Sequence, residues 1–283
     1  MALLSEKLCR QLQTILEDSK AVLGFAVKDL TSNEVIQING NEIFPAASTI
    51  KVAILLEFFR RVEEASLNPL EPTVYQTIHK TAGSGILKML SEGKVTMPLI
   101  DYATLMMTVS DNAATNLLID ILTLKKINNN LESAGLKVTR LTRKMMDIDA
   151  ARSGLELLTT PIEMLKLIET IYNHEILSTS VCEQTLQVMQ YPKEGLVQGV
   201  IRSSVPDKVA VANKSGWLGG ATCDIGLVYQ PNRPYIVTVF AKHIPVNDKH
   251  MHKTIIELTK ATGLIHEYFE EVSSSTIYGR RVF

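Results

Sequence analysis

Leu4, Leu8, Leu12 and Leu16 recur at a spacing of four and predict an amphipathic helix at the start of the chain. Two apolar-rich runs follow, Val22–Asp29 and Glu34–Asn39, and the turn-forming Leu30-Thr31-Ser32-Asn33 between them predicts a pair of strands. The other end repeats the theme. Val209–Ala212, Ile225–Tyr229 and Tyr235–Ala241 are rich in Val, Ile and Tyr, and Gln230-Pro231-Asn232-Arg233-Pro234 joins the last two as a hairpin. His250–Glu271 then reads as a closing helix, and Val272–Phe283, with three serines and two arginines in a row, as a loose tail. Residues 47 to about 190 instead show helical periodicity, predicting helices at Thr49–Ala65, Leu99–Thr108, Ala113–Leu122, Ile127–Ala134 and Pro161–Asn173. The last of these opens on Thr160-Pro161, with proline at the first helical position.

This pattern predicts an α+β fold, an antiparallel sheet built from both chain ends with flanking helices. Residues 1–46 and 191–283 form a discontinuous α/β domain, and residues 47–190 an all-helical domain inserted between its early and late strands. A site is expected at their junction.

Composition narrows the function classes. The 283 residues are 46% hydrophobic and 21% charged, which excludes bulk disorder. The formal net charge of −1 argues against a nucleic-acid or membrane-surface binder. The strongest apolar runs, Val52–Phe59, Asn116–Leu124 and Tyr235–Ala241, fall short of the roughly 18–20 residues of a spanning helix. Met1 runs straight into the first helix with no secretory signal, so the chain as given reads as cytoplasmic, or as exported if a leader was removed. Cys9, Cys182 and Cys223 are too scattered for a zinc set and are expected to be buried free thiols. His250-x-His252 lacks a third ligand, and no phosphate-cradling glycine motif is present. No metal and no cofactor are expected. Gly83 and Gly85, in Thr81-Ala82-Gly83-Ser84-Gly85-Ile86, predict a flexible loop at the rim of a site.

Three segments break the apolar pattern. Ser48-Thr49-Ile50-Lys51 opens a helix that is apolar nearly all round, so Lys51 lies in a buried first turn on the same face as Ser48. Either Ser48 caps the helix while Lys51 reaches for solvent, or a desolvated, neutral amine stands ready to take a hydroxyl proton. Ser110-Asp111-Asn112 interrupts a second apolar run, as a helix cap or as a proton relay with an amide that grips a carbonyl. Lys214-Ser215-Gly216 follows a strand, as a plain turn or as a cation and hydroxyl for a carboxylate beside a close backbone approach.

The order S-x-x-K, S-D-N, K-[ST]-G, with separations of 62 and 104 residues between Ser48, Ser110 and Lys214, resembles the penicillin-recognising serine hydrolases and most closely the class A β-lactamases. The Thr159-Thr160-Pro161 helix start fits too. The resemblance implies that Ser48 is the nucleophile and becomes acylated, with Lys51 as its proton acceptor or as part of the relay that reaches it. Ser110 would pass a proton to the leaving nitrogen, helped by the field of Lys214. Asn112 would orient the substrate amide, Ser215 and Lys214 would hold its carboxylate, and the N–H groups of Ser48 and Trp217, next to Gly216, would form the oxyanion hole. The implied partner is a small-molecule substrate, a β-lactam, a D-amino-acid peptide or an ester. The oligomeric state is not implied.

One departure matters for turnover. The class A enzymes carry a glutamate in an R-x-E context that positions the water hydrolysing the acyl-enzyme. Here the loop reads Arg143-Lys144-Met145, and a thioether takes no proton from water. Asp147 and Asp149 are the nearby substitutes. The family's usual arginine is also missing after Lys214-Ser215-Gly216. The resemblance therefore implies acylation with an altered second step, and leaves three readings: a lactamase with a rebuilt deacylation step, a D-peptidase or esterase, or a penicillin-binding sensor that stays modified.

Overall fold

The computed structural model describes residues 2–245, 248–276 and 278–281. In chain order the elements are α1 (Ala2–Asp18), β1 (Val22–Asp29), β2 (Val35–Ile38), β3 (Phe44–Pro45), a 3-10 turn (Ala47–Ile50), α2 (Lys51–Glu63), β4 (Pro72–Val74), β5 (Thr96–Pro98), α3 (Leu99–Thr108) and α4 (Asn112–Leu122). They continue with α5 (Leu124–Ser133), α6 (Ile148–Arg152), β6 (Leu158–Thr159), α7 (Pro161–Tyr172), α8 (Thr179–Met189), α9 (Gly199–Ser204), β7 (Val211–Leu218), β8 (Ala221–Val228), β9 (Tyr235–Lys242) and α10 (Asp248–Ser273).

The main sheet is antiparallel, in the order β2-β1-β9-β8-β7. First and last strands meet because β1 pairs with β9 along its whole length, Val22 opposite Lys242 and Asp29 opposite Tyr235. The central strands are buried on both faces, so they read as near-continuous apolar runs. Their alternate side chains enter two cores. Leu23, Phe25, Val27, Val237 and Val239 pack with α1, α9 and α10, whereas Ala26, Ile236 and Phe240 join the core of the helical region.

Within the helical region α2 is the axis, with nine consecutive residues, Lys51 to Phe59, buried. Its one buried acid, Glu57, is satisfied by Arg60 at 2.6 and 2.7 Å and by Asn130 Nδ2 at 2.9 Å, as a charge removed from water requires. The α7 start follows its sequence signal: Thr160 Oγ1 accepts the Glu163 N–H at 3.2 Å, with Pro161 at the first helical position.

Several details differ from the sequence reading. Residues 47–190 also hold a β4–β5 ladder and a β6 pair with β3. Three helices were not predicted: α6 and α9, of only five and six residues, are too short to show a period, and α8 was missed despite its eleven residues. The described residues of the tail are tied down. Val272 is buried in α10, and beyond it Thr276 N–H donates to Arg280 O at 2.8 Å while Ser275 bridges Arg281. Met1, Ile277, Val282 and Phe283 lie outside the described residues. Cys182 and Cys223 are buried free thiols, but Cys9 is half-buried. Among the described residues no helix is long and apolar enough to cross a membrane.

Candidate active site

Ser48 stands in the 3-10 turn that feeds α2. Ala46 starts the turn; its carbonyl accepts from Thr49 N at 3.1 Å and Thr49 Oγ1 at 2.5 Å. Ala47 takes a left-handed φ of +45°, a conformation costly for a residue with a Cβ. Ser48 does not cap the helix: no side chain caps either the turn or α2.

Lys51 does not reach for solvent either. It is fully buried, and its Nζ donates to Ser110 O at 2.8 Å and Asn112 Oδ1 at 2.9 Å, and lies 3.1 Å from Ser110 Oγ. Ser110, with φ +53°, is the second left-handed non-glycine residue here, and this turn brings both of its oxygens to the amine. Burial drives the Lys51 pKa well below the ordinary lysine value; the field of Lys214 adds to this and that of Asp111 opposes it.

The three residues of S-D-N divide their work. Asp111 is the cap of α4, accepting Ala114 N–H at 2.9 Å through Oδ1, while its Oδ2 accepts Ile86 N–H and Leu87 N–H at 2.7 and 2.9 Å. Asn112 donates its backbone N–H to Ser84 O at 3.0 Å and an Nδ2 proton to Ala82 O at 3.1 Å. The Gly83–Gly85 loop, expected to be flexible, is therefore tied to the site by four hydrogen bonds. Gly85 is required there: at φ +109° a Cβ would stand 2.3 Å from the Asp111 carboxylate.

Lys214-Ser215-Gly216 is no turn after a strand but the interior of β7, at the free edge of the sheet. The edge settles where each peptide points. Gly216 O faces β8, accepting from Thr222 Oγ1 at 3.3 Å. The N–H of a trans peptide points opposite to its carbonyl, so the Trp217 N–H faces the open edge. Ser215 O faces that edge as well and accepts from Lys214 Nζ at 2.7 Å. A Cβ on Gly216 would stand 2.6 Å from the backbone nitrogen of Ser48, so only glycine lets the strand approach the serine turn so closely. Ser215 Oγ donates to Val197 O at 2.7 Å, and the Trp217 side chain is half-exposed at the rim.

Lys214 is fully buried, and its pKa falls to about 7, first through burial and then through the field of Lys193. Asp224, opposite Ser215 on β8, is pushed up to about 6 by burial and accepts from Ile201 N–H at 2.9 Å and Asn213 Nδ2 at 3.0 Å.

On the loop before α6, Met145 is buried where the sequence places it. The two aspartates offered as substitutes for a glutamate stand in solvent instead. Asp147 is exposed and caps α6 by accepting Ala150 N–H at 3.0 Å, and Asp149 is exposed beside Arg152 at 3.7 Å. Arg143 braces the loop through Leu155 O at 2.9 Å and Glu156 at 3.3 Å.

Sequence reasoning missed Asn116, which holds Met145 in place, and the Asp224–Asn213 pair behind β7. Asn116 had a signal, four residues after Asn112 on the same helix face. Asp224 had none, because its bond to Asn213 depends on the β7–β8 register, hidden while residues 214–216 read as a turn, and its other partner, Ile201 N–H, comes from α9.

Comparisons with known proteins bear on the family and the fold. The family model described as the beta-lactamase enzyme family matches residues 7–269. Comparison with curated protein sequences gave no significant match. Among solved structures, PBP-A is 25% identical with a TM-score of 0.82, covering 93% of this chain and 96% of its own. A leucine-to-glutamate variant of PBP-A, solved as an acyl-enzyme complex with penicillin G, is also 25% identical with a TM-score of 0.82, over 94% of this chain and 97% of its own. An ancestral class A β-lactamase is 27% identical with a TM-score of 0.81, over 93% and 100%. The chain belongs to the beta-lactamase enzyme family and is a serine hydrolase of the class A β-lactamase type.

Proposed function

We propose that the protein opens a β-lactam ring through an acyl-enzyme on Ser48 and hydrolyses that intermediate slowly. The observation that carries this reading is the hydrogen bonding of Lys51. A neutral amine has two N–H donors and one lone pair. Once the amine is neutral, donation to Ser110 O and Asn112 Oδ1 uses both donors and leaves the lone pair for the hydroxyl proton of Ser48, one helical turn away; the third donation, to Ser110 Oγ at 3.1 Å, belongs to the protonated amine.

Ser48 Oγ attacks the lactam carbonyl as its proton passes to Lys51. The oxygen of the tetrahedral intermediate lies between the N–H groups of Ser48 and Trp217, where one such donor is typically worth about 3 kcal/mol. The C–N bond breaks as the nitrogen takes the proton of Ser110, and Ser110 recovers one from Lys51. An ester on Ser48 and a free amine remain. Asn112 has its second Nδ2 proton for the substrate amide. Lys214 supplies the cation for the carboxylate, and Ser215 Oγ turns its proton from Val197 O toward it.

Water must then cleave the ester without the glutamate of the family pattern. Loss of a general base typically slows such a step by about 10²–10⁴-fold, and the solvent positions of Asp147 and Asp149 support no replacement. The PBP-A variant held as a penicillin G acyl-enzyme supports a β-lactam as acylating agent. This reading divides the chain into residues 1–46 with 191–283, and residues 47–190, with the cleft at their junction. The test is a chromogenic cephalosporin in stopped flow. A burst of about one equivalent followed by slow turnover is expected, and steady rapid turnover from the first cycle would reject the slow second step.

A further inference from the structure

Cys223 lies behind the oxyanion hole, and its sequence context gave it no role. Its Sγ is 3.4 Å from Ala46 O and 3.5 Å from Gly216 O, so the single proton of one buried thiol is shared between the serine turn and the edge strand. These carbonyls are not arbitrary. Ala46 O is the anchor of the turn that presents the Ser48 N–H, and Gly216 O belongs to the same peptide as the Trp217 N–H. Thr222 and Cys223 are adjacent on β8 and point to opposite faces of the sheet, so Gly216 O is gripped from one face by Thr222 Oγ1 at 3.3 Å and from the other by the thiol.

We propose that Cys223, together with Thr222, is a positioning residue that fixes the plane of the Gly216–Trp217 peptide and its spacing from the Ser48 turn, and thereby aims both N–H groups of the oxyanion hole. The inference rests on the acyl-enzyme reading above. Rotation of that peptide is the cheapest way to spoil the hole, because an edge strand has no neighbour on its outer side to hold it flat. Burial raises the Cys223 pKa to about 12, so the sulfur keeps its proton and remains a donor throughout the working range. A thiol is a weak donor, so its value lies in placement, and the expected effect is smaller than the 10²–10³-fold cost of deleting an oxyanion donor outright.

The test compares Cys223→Ser, which keeps a donor, with Cys223→Val, which keeps bulk without one. Two readouts are needed: the rate of acylation by a penicillin, and the infrared stretching frequency of the ester carbonyl in the trapped acyl-enzyme, which falls as the hole polarises that bond. Cys223→Val is expected to raise the frequency and slow acylation by about tenfold, with Cys223→Ser close to the parent in both. Thermal unfolding of both variants identifies any loss that comes from folding alone. Unchanged frequency in a folded Cys223→Val acyl-enzyme overturns the positioning role and leaves the acyl-enzyme reading intact. Failure of the parent protein to form an ester overturns both.

Discussion

Asn116 holds the backbone of Met145 from both sides: its Oδ1 accepts the Met145 N–H at 2.8 Å, and its Nδ2 donates to the Met145 carbonyl at 3.2 Å. Met145, two residues after Arg143 as the glutamate of an R-x-E pattern would be, is thus fixed by a side chain on α4, the helix that S-D-N opens. A carboxylate installed at 145 inherits that clamp. Met145→Glu is expected to speed decay of the penicillin adduct, by up to about 10²–10⁴-fold if the carboxylate takes up the general-base role. Intact-mass spectra at timed intervals measure this, and an unchanged decay would show that residue 145 does not face the ester.

Lys51 is a buried amine with three oxygen neighbours, so its removal should silence the first step rather than the fold. Lys51→Ala is expected to lower the acylation rate by at least about 10²-fold, with a cooperative thermal transition retained. Acylation at the parental rate would reject Lys51 as proton acceptor.

The two buried lysines impose opposite pH requirements. Lys51 must be neutral to accept a proton, and its depressed pKa provides that form at lower pH than an ordinary lysine would. Lys214 must be charged to hold a carboxylate, and its pKa near 7 means that the cation is lost as pH rises through neutrality. The pH profile of kcat/KM should therefore fall on its alkaline side with a midpoint near 7. Lys214→Arg, charged throughout this range, is expected to remove that limb even if the absolute rate drops. A parental profile flat to pH 9 would contradict the assignment.

The same lysine should leave a trace in stability. Between about 7 and its ordinary 10.5, Lys214 is neutral in the folded protein and protonated in the unfolded chain. The unfolded state then binds more protons, so stability rises with pH across that window. Below 7 the fold carries a buried charge. Lys214→Met is expected to raise the unfolding midpoint at pH 6 and to flatten the rise above 7, which calorimetry across pH measures. A lower midpoint at pH 6 would mean that the ammonium is better paired than its surroundings suggest.

Much of the fold was legible in the chain because its signals are local. Val22–Asp29 and Leu99–Thr108 carry their own apolar period and match the observed elements end to end. Lys51 was legible as an anomaly, a charge in an apolar first turn. Other features depend on contacts that composition alone does not reveal. Lys214-Ser215-Gly216 resembles a turn by composition and becomes strand because Ser215 pairs with Asp224 on β8. The loop around Gly83 and Gly85 has the composition of a flexible segment and is ordered by Asp111 and Asn112, about 25 residues onward, whose hydrogen-bonding groups are satisfied only in the folded chain.

The central claim is that one hydroxyl, that of Ser48, takes the acyl group. The most direct measurement is incubation with penicillin G followed by intact-mass analysis and peptide mapping, with Ser48→Ala alongside. A single added ligand mass on the peptide carrying Ser48, absent from Ser48→Ala, is the expected result. An adduct that maps elsewhere or survives in Ser48→Ala, or ring opening by the parent with no covalent intermediate at any time, would contradict the account.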